Sequence, residues 1–476
     1  MKIGNLIQAT VLLALILLVT AGCSRDTGTL QPAPPITDPV VFDDDFGSKV
    51  DFQAFMGSYL YALTIDAQEK HDGVASLKVT VPPPGAYAGG AFTTGALRDL
   101  SGYTALTFWA RASEPATLNV AGLGNDNTGN SKYTAQWNNI PLTAEWTYYI
   151  IPIPLPEKLT SEGGLFFFAE DAEDDDGCTI WFDQVIFKGD ATISNPRPSM
   201  ESRALSTFVG ATVNATGTKT IFDVEGTDEL IAHLPGYLTF ASSNDTVAAL
   251  VNGAIKTIGG GTATITATLG ETPVTGQLQL NVFASPTLPA PSPTHPAPDV
   301  ISLFSNAYGN ITIDKWLADW SSLATVTDFR VSGDNIKAYT TSSYLGYAGI
   351  EFTTSLVNAT DMNYFHFDLW MPTQQGVTFM FFRVKLVDFG ADGAYQGTDP
   401  GDEDTERELT FSTTTNPAIV PGSWVSFDIP LANFMGTPGL ASRAHLAQLV
   451  VSGGGLKPPS QYTGMIAFVD NIYFHK

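Results

Sequence analysis

Beyond its N-terminal segment, this chain almost nowhere sustains the 3.6-residue apolar period of an amphipathic helix. Its apolar residues alternate instead, in short runs such as Ser76-Leu77-Lys78-Val79-Thr80-Val81, Thr147-Tyr148-Tyr149-Ile150-Ile151 and Thr264-Ile265-Thr266-Ala267-Thr268. A period of two places one face of a strand in a core and the other outside it. Gly, Pro, Asn and Asp close each run, and 44 Gly and 30 Pro in 476 residues supply many such breaks. Short strands at this spacing predict an all-β chain built from sandwiches.

Proline divides the chain. The segment 284–298 carries Pro at 286, 289, 291, 293, 296 and 298, a density that favours an extended, semi-rigid linker. Residues 23–38 are polar and Pro-rich and read as a tether; Ser194-Asn195-Pro196-Arg197-Pro198 marks a further boundary. Three blocks are expected: 39–190, 197–283 and 299–476. The first and third read as distant repeats. Leu106-Thr107-Phe108-Trp109-Ala110-Arg111 runs parallel to Phe365-His366-Phe367-Asp368-Leu369-Trp370. Trp146 before Ile151-Pro152-Ile153 echoes Trp424 before Ile429-Pro430-Leu431, and Trp181–Phe187 echoes Phe468–Phe474 as a closing strand. Shared order with variable loops predicts one sandwich fold used twice.

The chain opens with Met1-Lys2 and an apolar run, Val11 to Val19, followed by Thr20-Ala21-Gly22-Cys23, the pattern of a secretory signal. Ala-Gly-Cys resembles the lipobox of bacterial lipoproteins, with Thr20 departing from the commoner Leu or Val. That resemblance implies removal of residues 1–22, lipidation of Cys23, and a membrane partner through the lipid anchor. Ser24, not Asp, follows the cysteine, which by the same resemblance favours the outer membrane and a surface-exposed lipoprotein. Cys178 is then left alone and forms no internal disulfide.

The formal net charge is −25, which argues against nucleic acid, a partner that requires Lys and Arg to neutralise phosphates. It leaves uncharged polymers open. Aromatic residues make up 11% of the chain, and these are what such polymers need: sugar rings lay flat C–H faces on Trp and Tyr.

The first block, with its Trp109 and closing strands and Asp72-Gly73-Val74-Ala75-Ser76-Leu77-Lys78-Val79, resembles the jelly-roll carbohydrate-binding modules of the galactose-binding-like group. The middle block, with Val247–Ile255 and Gly259-Gly260-Gly261-Thr262-Ala263-Thr264-Ile265, resembles a group 2 bacterial Ig-like domain and reads as a spacer. The third block carries Val300–Tyr308, Phe365–Trp370, Val384–Gly393 and Ser442–Leu449. It resembles an accessory domain of bacterial endo-β-1,3-glucanases that also occurs in surface glycan-binding lipoproteins. These resemblances imply two jelly rolls separated by an Ig-like sandwich, binding a β-glucan such as laminarin without catalysis, with a TonB-linked transporter as partner by analogy.

Within the third block, alternation puts His366, Asp368 and Trp370 on the face opposite the apolar Phe365, Phe367 and Leu369. If that face is open it has a binding composition; otherwise it is a solvated sheet face. Trp316 and Trp320 in one loop-like segment, and Tyr344 and Tyr347 in another, are stacking candidates or lids over a core. Asp388 and Asp392 fix hydroxyls or merely form turns. In the first block Trp109, Arg111, Tyr133 and Trp137 are candidates for a second site. By resemblance, Asp43, Asp45 and Asp183 in the first block, and Asn306 and Asp470 in the third, would contribute to structural calcium sites, the alternative being a solvated acidic edge.

A glycoside hydrolase or lyase is the rival reading, since such enzymes use paired carboxylates. The glucanase E-x-D-x-x-E pattern is absent, and three blocks leave no room for a separate catalytic domain. Envelope adhesion is the third class.

Overall fold

The computed structural model describes residues 36–172, 177–396, 404–437 and 439–476. The signal segment, Cys23 and most of the tether lie outside these residues, as do parts of the acidic runs 170–176 and 399–408. Among the described residues every regular element is a strand or a short 3-10 turn, so the chain is all-β. Its contacts divide into two compact units that meet in sequence at Ala191 and Thr192.

In the first unit the closing strand Thr179–Lys188 is central to one sheet. It pairs antiparallel with Val40–Asp43, Ala105–Ala112 and Ser76–Thr80, and Thr147–Pro152 adds to Ala105–Ala112. The facing sheet runs Val50–Ala54, Tyr87–Arg98, Glu162–Asp171, Ala116–Leu123 and Ala135–Leu142. Phe108 and Phe182 from one sheet meet Phe166 from the other, tilted or edge-on at 5.4–5.7 Å, in a fully buried core.

The C-terminal sandwich of the second unit repeats this plan. Its closing strand Ile466–His475 pairs with Val300–Phe304, Tyr364–Trp370 and Asp334–Thr341, and Trp424–Pro430 adds to Tyr364–Trp370. The facing sheet runs Tyr347–Glu351, Leu446–Lys457, Phe379–Asp388 and Thr405–Ser412. The bulge in each closing strand recurs at the same place. Gln184 after Asp183 and Asn471 after Asp470 both take positive φ, 48° and 50°, in the left-handed region that non-glycine residues seldom enter.

The middle block places Arg203–Phe208 parallel to Leu278–Phe283, with Gly261–Leu269 and Thr239–Ser242 following in that sheet. This block shares a buried cluster with the C-terminal sandwich: Phe208 and Ala211 pack with Val331, Ile336, Trp370 and Phe468. The Pro-rich segment lies along the sandwich. The Trp424 indole N–H donates to the Leu288 carbonyl (2.9 Å), the Asn471 amide to that of Pro291 (3.1 Å) and the Tyr308 hydroxyl to that of His295 (2.9 Å). The segment expected as an extended linker is thus hydrogen-bonded to the domain it precedes.

Candidate functional site

The facing sheet of the C-terminal sandwich lines a cleft of about 970 Å³. Residues directly opposite on paired strands share a face, which defines three rows. One is Tyr347, Ser452 and Arg383; the next is Gly349, Val450, Lys385 and Glu408; the third is Glu351, Gln448, Val387 and Glu406. The alternate rows, such as Ile350, Leu449 and Leu386, are buried in the core.

Trp320 is laid against this face by the irregular segment before it. Ala318 N–H donates to the Gly349 carbonyl (2.8 Å), Ser322 and Tyr347 exchange backbone hydrogen bonds, and the Gly349 N–H donates to the Ser321 hydroxyl (3.0 Å). The indole lies over Gly349. A Cβ there would stand 2.1 Å from the Trp320 ring, so only glycine admits it. The indole N–H donates to Glu351 Oε1 (2.6 Å), and the ring stays 39% exposed beside Tyr347, with centroids 6.1 Å apart. Tyr344 extends the aromatic edge, 4.5 Å from Tyr462. Across the sheet, Lys385 pairs with Glu406 (2.6 Å) and Arg383 with Glu408 (3.6 Å), while Tyr395 stands exposed at the rim. An apolar platform flanked by anchored polar groups is a binding composition.

The predicted residues separate. Trp320, Tyr344 and Tyr347 line the cleft. Trp316 does not: it packs against the core, edge-on to Phe304 at 5.3 Å, with the Lys337 ammonium 4.4 Å from its ring centroid. His366, Asp368 and Trp370 lie on the other sheet, whose outer face is covered rather than open. Trp370 is 6% exposed in the cluster shared with Phe208. Asp368 is buried and accepts from the Ser426 hydroxyl (2.5 Å) and the Asn471 amide (2.7 Å). His366 stacks on Tyr473 and donates through Nδ1 to Asp428 (2.8 Å). Burial works against its proton, but hydrogen bonds and charge from Asp368 and Asp428 outweigh it and raise its pKa. Asp388 is buried and accepts from the Gly390 and His445 N–H groups, and the exposed Asp392 accepts from Ala394 N–H; both serve turns.

The four first-unit candidates do not converge. Trp109 and Arg111 share an outer face, where Trp109 lies flat against His71 (3.7 Å) and Arg111 pairs with Glu69 (2.8 Å). Trp137 belongs to the facing sheet, edge-on to the buried Tyr149, and Tyr133 lies in the loop before its strand.

Of the cation candidates, Asp183 is buried, with both oxygens accepting backbone N–H groups of His71, Asp72 and Gln184. Asp43 is directly opposite Asp45 across a strand pair, and Asp45 accepts from the following Phe46 N–H. Asp470 differs. Its Oδ1 accepts from Asn471 N–H (2.6 Å), but its buried Oδ2 faces no donor. Burial, with the neighbouring Asp334 and Asp368 carboxylates, pushes its pKa up to about 8. Asn306 Oδ1 accepts from the Asn335 amide (3.2 Å).

Sequence reasoning missed Glu351, Arg383, Lys385 and Gln448. A signal was present: Arg383 and Lys385 alternate with apolar Phe382, Val384 and Leu386, which marks a sheet face that is not core.

No protein-family model matches the chain, and no curated protein matches it. Solved structures with partial likeness include a family 11 carbohydrate-binding module from Clostridium thermocellum in complex with a β-1,3-1,4-mixed-linked tetrasaccharide. It is 13% identical, spans 37% of this chain and 95% of that one, and has a TM-score of 0.25. The family 30 module of a cellulosomal cellulase of the same organism is 17% identical over 33% and 95%, with a TM-score of 0.23. The N-terminal CBM22-1–CBM22-2 tandem domain of Paenibacillus barcinonensis Xyn10C is 9% identical over 93% and 99%, also at 0.23. At these scores the fold rests on the strand pairing described above.

Proposed function

We propose that this chain is a non-catalytic glycan-binding lipoprotein whose C-terminal cleft captures a neutral polysaccharide, a β-glucan of the laminarin type being favoured. The observation that carries the reading is Trp320, held flat over Gly349 by its own loop and by Glu351, with Tyr347 beside it. Such a platform buries a sugar face, and the Arg383, Lys385 and Gln448 side chains in the same cleft meet its hydroxyls. The cleft carboxylates Glu351, Glu406 and Glu408 are each engaged by a partner, Trp320, Lys385 and Arg383, an arrangement that suits holding a ligand more than cleaving it.

The Ala-Gly-Cys start supports lipidation of Cys23 and an outer-membrane, surface-facing location; a TonB-linked transporter as partner for the captured glycan enters this reading by analogy alone. The unpartnered Asp470 oxygen beside Asp334 supports a structural calcium ion in the C-terminal sandwich. Calorimetry of the full chain against laminarin, mixed-linked β-glucan and an unrelated polymer tests the function: saturable binding to a β-glucan is expected, and no binding to any of them overturns it. Melting with a calcium-selective chelator tests the ion: a lower melting temperature, absent in Asp470→Asn, is expected, and an unchanged curve overturns it.

A further inference from the structure

On the outer face of the sheet opposite the cleft, the Pro-rich segment brings His295 to Asp428 and to His475 of the last strand. One nitrogen from each histidine and one oxygen of Asp428 all lie within 4.8 Å of one another. The imidazoles of His295 and His475 stack at 3.8 Å. His475 Nδ1 lies 2.8 Å from the main-chain oxygen of Lys476, which can only accept and so holds the ring in direction. Its Nε2 lies 3.0 Å from Asp428 Oδ1. The His475 ring is only 4% exposed. His366 Nδ1 donates to the same Asp428 oxygen and fixes its direction (2.8 Å).

We propose that His295, Asp428 and His475 form a site for a divalent transition-metal ion of the zinc class, which ties the Pro-rich segment to the final strand. Two imidazoles and one carboxylate suit zinc, whereas calcium and magnesium take mostly oxygen. The Lys476-anchored Nδ1 of His475 and the His366-oriented Asp428 are the outer contacts that hold metal ligands in direction. Zinc–nitrogen bonds of about 2.0–2.1 Å bring the donors closer together than they stand here, and a tilt of the half-buried His295 ring on its irregular segment achieves that. The ion would add a fourth tie to those at Leu288, Pro291 and the His295 carbonyl. This site uses no residue of the sugar cleft, so it stands or falls apart from the proposed glycan binding.

The metal-free full chain is titrated with ZnCl2 by calorimetry and with CoCl2 by visible absorption. One ion per chain is expected, with the intense bands of a four-coordinate cobalt site. His295→Ala, on the segment's surface, and Asp428→Ala should each weaken binding by about tenfold or more, with unchanged circular dichroism. Absence of binding, or binding of undiminished strength in His295→Ala, overturns the proposal.

Discussion

The two jelly-roll sandwiches share strand order, closing-strand partners and even the positive-φ bulge, yet differ in what they place on the corresponding sheet face. In the first, the rows facing away from the core run Ala91–Phe167–Gly122 and Gly89–Ala169–Val120. In the second the comparable rows carry Tyr347, Arg383, Lys385, Glu351 and Gln448, with Trp320 over Gly349. The topology was reused and the rows were rewritten, so a fold-level repeat does not carry a repeat of function. The outer faces differ too. Trp109 of the first lies partly open under His71, whereas Trp370 of the second seals a joint with Phe208.

The largest expected effect tests that last contrast. Trp370→Ala empties a buried site between the middle block and the sandwich and should cost about 3–5 kcal/mol of stability. Glycan affinity of the folded fraction should stay within about twofold, because the ring does not reach the cleft. Trp109→Ala should cost clearly less stability, since part of its ring is already in water. Denaturant unfolding followed by calorimetry reads both. Equal losses for the two substitutions would break the comparison.

Next in size is a pH effect confined to the first sandwich. Glu162 is 9% exposed, and burial, reinforced by the charge of Asp126, pushes its pKa up to about 7 from an ordinary 4.5. The folded state therefore holds this proton more tightly than the unfolded state. Stability from this group is full below about pH 4.5 and falls as pH rises toward 7, by on the order of 3 kcal/mol. Glu162→Gln should flatten that part of the stability–pH curve for the first unit while leaving the second unit's curve in place. An unchanged slope would remove Glu162 as its source.

The sequence was more informative about the fold than about the site. Alternation, turn residues and the two closing strands announced all-β sandwiches and their repetition, because a period of two is a local property. It also placed His366, Asp368 and Trp370 on one face correctly. What it did not contain was the cover: Phe208 and the segment around Leu288 reach that face only through tertiary contacts. Trp316 and Trp320 look equivalent in sequence, four residues apart, yet one packs on Phe304 and the other on Gly349. Only the glycine opposite distinguishes them, and its meaning depends on which segment folds over it.

Trp320→Ala tests the cleft directly. Removing the platform should weaken β-glucan binding by about ten- to thirtyfold, or roughly 1.4–2 kcal/mol, with the melting temperature little changed because the ring is partly exposed. Trp316→Ala is the internal control: it should lower stability and leave affinity nearly unchanged. Reversal of these two outcomes would move the site to the other indole.

The finest test alters the platform without deleting it. Gly349→Ala adds one methyl group 2.1 Å from the Trp320 ring, in a strand whose backbone accepts alanine. The pairing of Tyr347–Glu351 with Leu446–Lys457 leaves no room for the sheet to retreat, since Ile350 and Leu449 on its other side are packed in the core. The ring must therefore lift, lengthening its 2.6 Å bond to Glu351 and changing its angle to Tyr347. A flat sugar stacks less well on a lifted, unanchored ring, so affinity should fall by about three- to fivefold, close to 1 kcal/mol. Indole fluorescence should shift at the same time, because Trp320 becomes more exposed. The equivalent change in the first sandwich, Gly89→Ala, should leave glycan affinity untouched while straining the contact with Ala169, where a Cβ stands 2.9 Å from that methyl. Loss of affinity in Gly349→Ala with no change in indole emission would mean that Gly349 acts through something other than Trp320.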